Sequence, residues 1–238
     1  MKKSLLLIIV FCFVFFSVFA AVRSVESASL RVSHLVNDSY FMPRLLIDAG
    51  HGGEDGGAVA ADGTIEKHLN LAIAQQIKHM AVLFGADYQM IRKSDDALSD
   101  LSLSTIRERK MSDLKKRLDI VNACDDALLI SIHQNQFADR SCKGLQVFYS
   151  ANHPFSMQLA DVVQDHVQVM LQQSNKRTTK VVRDAIYLLH HARIPAIMIE
   201  CGFMSNPDEL ACLKDPVYGS KLVLCIFSGL IDCCMQQF

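Results

Sequence analysis

Several groups able to bind a metal ion or move a proton stand where apolar runs end. His51 lies in the glycine-rich stretch Ala49-Gly50-His51-Gly52-Gly53 that follows the run Arg44 to Asp48. His133 closes the run from Ala127, and Glu200 closes the run from Ala196. Glu66 opens a stretch of helical periodicity just after the first of these. Two imidazoles and one carboxylate, with a fourth position left to water, form the coordination set of a catalytic zinc site, whereas a structural site takes four protein ligands. Such an ion acidifies water and polarises a carbonyl, the two requirements of amide hydrolysis. Glu200 is then placed to carry the proton from that water to the leaving amine. Asp48 and Asn70, close in sequence to His51 and Glu66, are candidates to orient the ligands. Spacing alone does not single out this set, because a chain with nine histidines offers many such triples. A histidine at a strand end is more often a satisfied polar residue than a ligand. His190 and His191 lack converging acidic neighbours, and His34, His68, His79, His153 and His166 read as surface or helix-face residues.

The elements that must position these groups alternate between strand and helix. Apolar runs at Arg44 to Asp48, Tyr88 to Arg92, Ala127 to His133, Leu145 to Ser150 and Ala196 to Glu200 read as strands. Leu69, Ile73, Ile77, Met80 and Phe84 recur at helical spacing, predicting a helix from about Ile65 to Phe84 with Thr64 as its cap. Further helices are expected at Ser112 to Cys124 and Pro154 to Gln173, with two more at the C-terminal end, the last from about Val217 to Met235. Ile186 to Leu189 is a short apolar run of open type. This order predicts an α/β fold: a single three-layer domain with a largely parallel, twisted sheet flanked by helices. In such sheets ligands bind outside the carboxyl ends of the strands, where His51, His133 and Glu200 all fall.

The chain has 238 residues, half of them hydrophobic, which suits one well-buried domain. Its formal net charge of -1, with no long run of one sign, argues against a nucleic-acid partner. Met1-Lys2-Lys3, the apolar run Leu5 to Phe19 and Ala20-Ala21 match an export signal, with residues 1–20 either cleaved or kept as a membrane anchor. Residues 21–42 read as a linker and residues 43–238 as the catalytic domain. Membrane contact is expected only through an uncleaved N-terminal segment. Of eight cysteines, Cys12 lies inside the signal and the others read as small buried hydrophobes, so no disulfide framework is expected.

Four motifs in a fixed order carry a family resemblance. Leu46-Ile47-Asp48-Ala49-Gly50-His51-Gly52-Gly53 with Gly56-Gly57-Ala58, then Glu66-Lys67 with Leu69-Asn70-Leu71, resembles the opening of the zinc-dependent N-acetylmuramoyl-L-alanine amidases. Ser131-Ile132-His133 followed by Asn135 resembles that family's second histidine motif. Pro195 to Glu200 with Gly202-Phe203-Met204-Ser205-Asn206-Pro207 resembles its glutamate motif. The resemblance implies that His51, Glu66 and His133 bind one Zn2+ per chain, that Glu200 is the catalytic carboxylate, and that Asn135 assists. The implied reaction is hydrolysis of the amide between the lactyl group of N-acetylmuramic acid and the L-alanine of the peptidoglycan stem peptide. Two departures stand out: Cys201 after the glutamate, and Gln134 and Gln136 flanking Asn135.

Arg107-Glu108-Arg109-Lys110, with Ser112-Asp113-Leu114 and Arg117, is similar to the short spore-associated amidases that act in muramic-δ-lactam formation in spore cortex. On that likeness Arg107 or Arg109 contacts a stem-peptide carboxylate. The segment between Ser150 and Ile186 has room for one long helix, so no inhibitory plug is expected. With no wall-binding module in view, control falls to timing, localisation or a protein partner. The expected place of action is outside the cytoplasmic membrane, at the wall or spore cortex. The competing readings are a vegetative wall amidase, a zinc peptidase of the stem peptide, a thiol hydrolase using Cys201 with His51 or His133, and a wall-binding module without chemistry.

Overall fold

In a computed structural model, residues 42–236 are described, so the expected export segment and nearly all of the linker lie outside the described residues. Six strands and six helices follow one another along them: β1 (Arg44–Ala49), α1 (Glu66–Leu83), β2 (Tyr88–Met90), α2 (Ile106–Asn122), β3 (Ala127–Asn135), β4 (Gln146–Ser150), α3 (Phe155–Met170), β5 (Lys180–Val182), α4 (Tyr187–His191), β6 (Ala196–Phe203), α5 (Pro207–Lys214) and α6 (Pro216–Met235). The strands form one sheet in the order β2-β1-β3-β6-β4-β5. All neighbours are parallel except β4 against β6. The fold is the expected three-layer α/β domain.

Alternation along the strands builds two cores. Leu45 and Ile47, Leu128 and Ile130, and Ile197 and Ile199 face α1, α3 and α6, with Ile73, Ile77, Leu159, Val163, Ile226 and Leu230. Leu46, Leu129 and Met198 face the other way, against Val121 of α2 and Leu188 and Leu189 of α4. The central strands are therefore apolar on both faces, as a buried parallel sheet requires. Continuing the same alternation, His133 and Glu200 share the second face, where they are direct partners in the β3–β6 register. Cys201 falls on the opposite face, inside the first core.

Several boundaries differ from expectation for local reasons. Ile65, not Thr64, caps α1, and no side chain serves as its cap. α2 starts well before Ser112, because Thr105 and Glu108 close a capping box in which each side chain bonds the other residue's backbone N–H. The apolar run at Ile186 caps and opens the short helix α4. Strand β5 pairs only with β4 at the sheet edge and is too short to show a period. The segment after Ser150 therefore holds both a helix and a strand, with α3 packed on α6.

That helix crossing is close at Gly229, where an added Cβ would lie 2.9 Å from the Cα of Val163. A Gly229→Ala substitution should therefore push α6 off α3. The expected cost is about 1–3 kcal/mol in urea unfolding, with zinc content unchanged.

Candidate metal centre

His51 sits in a loop whose backbone is held from two sides. The carbonyl of Ala49 accepts from Arg92 Nε at 2.7 Å and from Arg117 Nη1 at 3.0 Å. That of Gly50 accepts from Arg92 Nη2 at 3.1 Å and from Asn70 Nδ2 at 3.2 Å. That of His51 accepts from Arg117 Nη2 at 2.7 Å. Both arginines are buried. Arg117 is neutralised by Asp48 and, through its Nε at 2.6 Å, by Asp113. Asp48 also accepts from Ser131 Oγ at 2.6 Å, its register partner on β3. Burial opposes both charges of the Asp48–Arg117 pair, but their mutual attraction outweighs it, lowering the carboxyl and raising the guanidinium. The loop carries His51 at φ 62°, a left-handed conformation uncommon outside glycine. Such strain persists where surrounding bonds fix it.

The three expected ligands converge. Glu66, buried in the first turn of α1, lies between the imidazoles: Oε2 is 3.3 Å from His51 Nε2 and Oε1 is 3.1 Å from His133 Nδ1. The rings meet edge to face at 4.9 Å. One donor atom from each of the three residues falls within 4.8 Å of the others. Two glycines make room for this. An added Cβ at Gly57 would lie 2.4 Å from Glu66 Oε2 and 2.9 Å from His51 Nε2, and one at Gly50 would lie 2.2 Å from His133 Nε2.

Partners outside the triad orient it. His51 Nδ1 bonds Asp55 Oδ2 at 2.9 Å, leaving Nε2 to face Glu66. Asp55 is in turn paired with Lys110 Nζ at 2.7 Å. Glu66 accepts from Asn70 Nδ2 at 3.1 Å, from the Gln134 backbone N–H at 3.1 Å and from the Ala58 backbone N–H at 2.8 Å. Burial pushes the Glu66 carboxyl up, but the two imidazoles outweigh it and hold it well below the usual range. Burial likewise disfavours a charged His51, yet Asp55 and Glu66 raise its imidazole to about 9. A cluster that holds a proton this firmly also favours a metal cation, and the two compete.

Glu200 stands beside His133 with a different environment. Its Oε2 is buried and has no hydrogen-bond partner among the described residues. Burial raises its carboxyl to about 7, with Glu66 pushing the same way and the imidazoles opposing. A carboxyl poised near neutrality suits proton transfer.

Of the orienting residues expected from sequence, Asn70 does contact Glu66. Asp48 has no hydrogen bond to the triad among the described residues and acts through Arg117, which bonds the His51 carbonyl. Asn135 gives its backbone carbonyl to the Met204 N–H at 2.8 Å, just past a register shift between β3 and β6. Arg109 is engaged internally, with Nε on Glu54 at 2.8 Å and Nη1 on the Leu103 carbonyl at 2.7 Å, while Arg107 is exposed on the first turn of α2. Sequence reading missed Asp55, Lys110 and Arg92. Asp55 lies four residues after His51 in the same glycine-rich loop, which was the available signal. The thiol reading fails on placement: Cys201 is fully buried in the core beneath the sheet, and burial pushes its thiol up, away from the reactive thiolate. The seven cysteines among the described residues are all free.

Two imidazoles and a carboxylate with an adjacent carboxyl of raised pKa, at the carboxyl edge of a parallel sheet, define a metallohydrolase-type site. A model of the N-acetylmuramoyl-L-alanine amidase family matches residues 45–232, and the chain belongs to that family. Over 187 residues it is 32% identical to the germination-specific N-acetylmuramoyl-L-alanine amidase of Bacillus subtilis, covering 79% of this chain and 78% of that protein. Among solved structures it is similar to the CwlD amidase from Clostridioides difficile in complex with the GerS lipoprotein, at 33% identity and a TM-score of 0.77, covering 80% of this chain and 98% of that one. It is also similar to the N-acetylmuramoyl-L-alanine amidase of Clostridium difficile 630, at 27% identity and a TM-score of 0.67, covering 80% and 96%.

Gly57→Ala should displace Glu66 and His51 together. Zinc affinity measured by competition with a chromogenic chelator is expected to drop tenfold to a hundredfold, as for other losses of ligand support. An unchanged affinity would mean that these two side chains do not hold the ion.

Proposed function

We propose that this chain is a zinc-dependent amidase that releases the stem peptide from N-acetylmuramic acid, with His51, Glu66 and His133 as the ligands of one Zn2+ and Glu200 as the catalytic carboxylate. The observation that carries the reading is the convergence of the triad beside a carboxylate whose buried oxygen lacks a hydrogen-bond partner among the described residues. The donor set fits zinc, and the glycines at 50 and 57 leave the ligands the space they need. When bound, the ion supplies a Lewis acid for the scissile carbonyl and acidifies water toward neutrality. Asp55 holds the His51 ring so that Nε2 faces the site, and Asn70 with the Gln134 N–H holds Glu66. Glu200 takes the proton of the attacking water on its carboxylate and delivers it to the alanine nitrogen as the C–N bond breaks.

The spore-cortex setting is supported by likeness to the germination-specific amidase. Action outside the cytoplasmic membrane is supported by the basic, then apolar N-terminal residues, and residues 43–238 are taken as the catalytic unit. The complex in which the similar CwlD amidase was solved supports a protein partner that activates or places this enzyme.

Mass spectrometry of muropeptides tests the reading. Zinc-loaded protein should release intact stem peptide, chelated protein should not, and Glu200→Gln should slow release by about a hundredfold to ten-thousandfold with zinc still bound. Cleavage inside the peptide would make it a peptidase, and glycan binding without any release would make it a wall-binding module.

A further inference from the structure

Along the carboxyl edge of the sheet, the strand order sets His51, His133, Glu200 and then Gln146 side by side, since Gln146 on β4 is the register partner of Glu200 on β6. Beyond Gln146 lies a basic cavity of about 560 Å³ that the proposed chemistry does not use, lined by Lys143, Gly144, Asn175, Lys176, Arg177 and Glu209 among others. Glu209 is its one acidic lining residue, and both of its oxygens are already taken, by the N–H groups of Gly144 at 2.8 Å and Phe203 at 2.9 Å. Glu209 keeps its charge, but Lys143, Lys176 and Arg177 outnumber it, so the lining is net positive.

Arg177 is fixed rather than free to wander. Its guanidinium lies 4.4 Å over the centroid of the Phe203 ring. Nε donates to the Lys143 carbonyl at 2.7 Å and Nη1 to Gln146 Oε1 at 3.3 Å. Its backbone N–H donates to Asn175 Oδ1 at 3.0 Å, and buried Asn175 is anchored to the Leu145 carbonyl at 2.8 Å. Nη2 has no partner among the described residues. A planar donor set held on an aromatic ring, with one amino group unused, is preorganised for a carboxylate.

Distance suggests which carboxylate. Neighbouring strands are about 4.8 Å apart, so the Arg177 head stands roughly one to two strand spacings from Glu200. An extended peptide covers about 3.3–3.6 Å per residue. We propose that Arg177 is a specificity-determining residue that binds a free carboxylate of the stem peptide one or two residues beyond the cut amide, with Lys143 and Lys176 supplying the surrounding positive field. The inference rests on the amidase reading above.

The test uses two muropeptides that differ only at the acidic residue after L-alanine, which carries a free carboxylate in one and a carboxamide in the other. The zinc-loaded full chain should favour the free carboxylate by about tenfold or more in kcat/KM, chiefly through KM. Arg177→Met should bring that ratio close to one while zinc content stays at one per chain. Arg177→Lys, which keeps the charge but loses the planar guanidinium fixed on Phe203, should lower the ratio severalfold and stands in if the methionine variant does not fold. A wild-type ratio near one would overturn the inference, as would a folded variant with the wild-type ratio. A lower melting temperature with that ratio intact would make Arg177 a staple on Phe203 only. No peptide release from either substrate by the wild type would instead count against the amidase reading itself.

Discussion

Three successive carbonyls, those of Ala49, Gly50 and His51, point at two buried guanidinium groups, and the geometry of the site depends on that contact. A loop leaving a strand exposes backbone oxygens that water would otherwise bond. Here Arg92 and Arg117 replace that water in the interior, so the loop has one arrangement rather than many. Burying two like charges this close is costly, and Asp48 and Asp113 offset the cost for Arg117. Arg92 donates only to backbone carbonyls, and its guanidinium is pushed down by burial and by its neighbour Arg117, with Asp48, Asp95 and Asp113 opposing more weakly. The left-handed backbone at His51 follows, because the residue must turn its ring toward Glu66 while its carbonyl stays on Arg117.

The remaining parts of the site come from elements that are rigid for independent reasons. β3 and β6 are central strands, apolar on both faces, and their register sets His133 against Glu200 without help from any loop. α1 contributes Glu66 from its first turn, where a carboxylate is also favoured by the helix dipole. The helix α2 lies across the far side of the His51 loop and meets it three times, through Arg117 to the backbone, Lys110 to Asp55 and Arg109 to Glu54. Arg109, Lys110 and Arg117 of α2 thus brace the loop that carries His51.

Much of this was visible in the sequence, and the gaps have physical causes. The layer order and the parallel sheet follow from period and from chain order, which are local or sequential signals, whereas His51, Glu66, His133 and Glu200 stand out from the many sets that nine histidines offer only through their resemblance to the family's motifs. The start of α2 was equally local, in Thr105 and Glu108, but a polar helix hides its period behind charged side chains. Asp48 stands close to His51 in sequence, yet strand alternation sends it to Arg117 and Ser131, a contact that only the register of β1 on β3 reveals. Cys201 follows Glu200 directly, and the same alternation buries it on the opposite face. Lys110 and Asp55 meet across a loop and a helix, and no periodicity encodes such a pair.

The most direct test of the account is anomalous diffraction at the zinc absorption edge from crystals of the zinc-loaded protein. A single peak about 2.0–2.2 Å from His51 Nε2, from a nitrogen of His133 and from an oxygen of Glu66, with Glu200 near but not bonded, is the predicted result. A peak at other histidines, or one coordinated by Glu200 in place of Glu66, would contradict it.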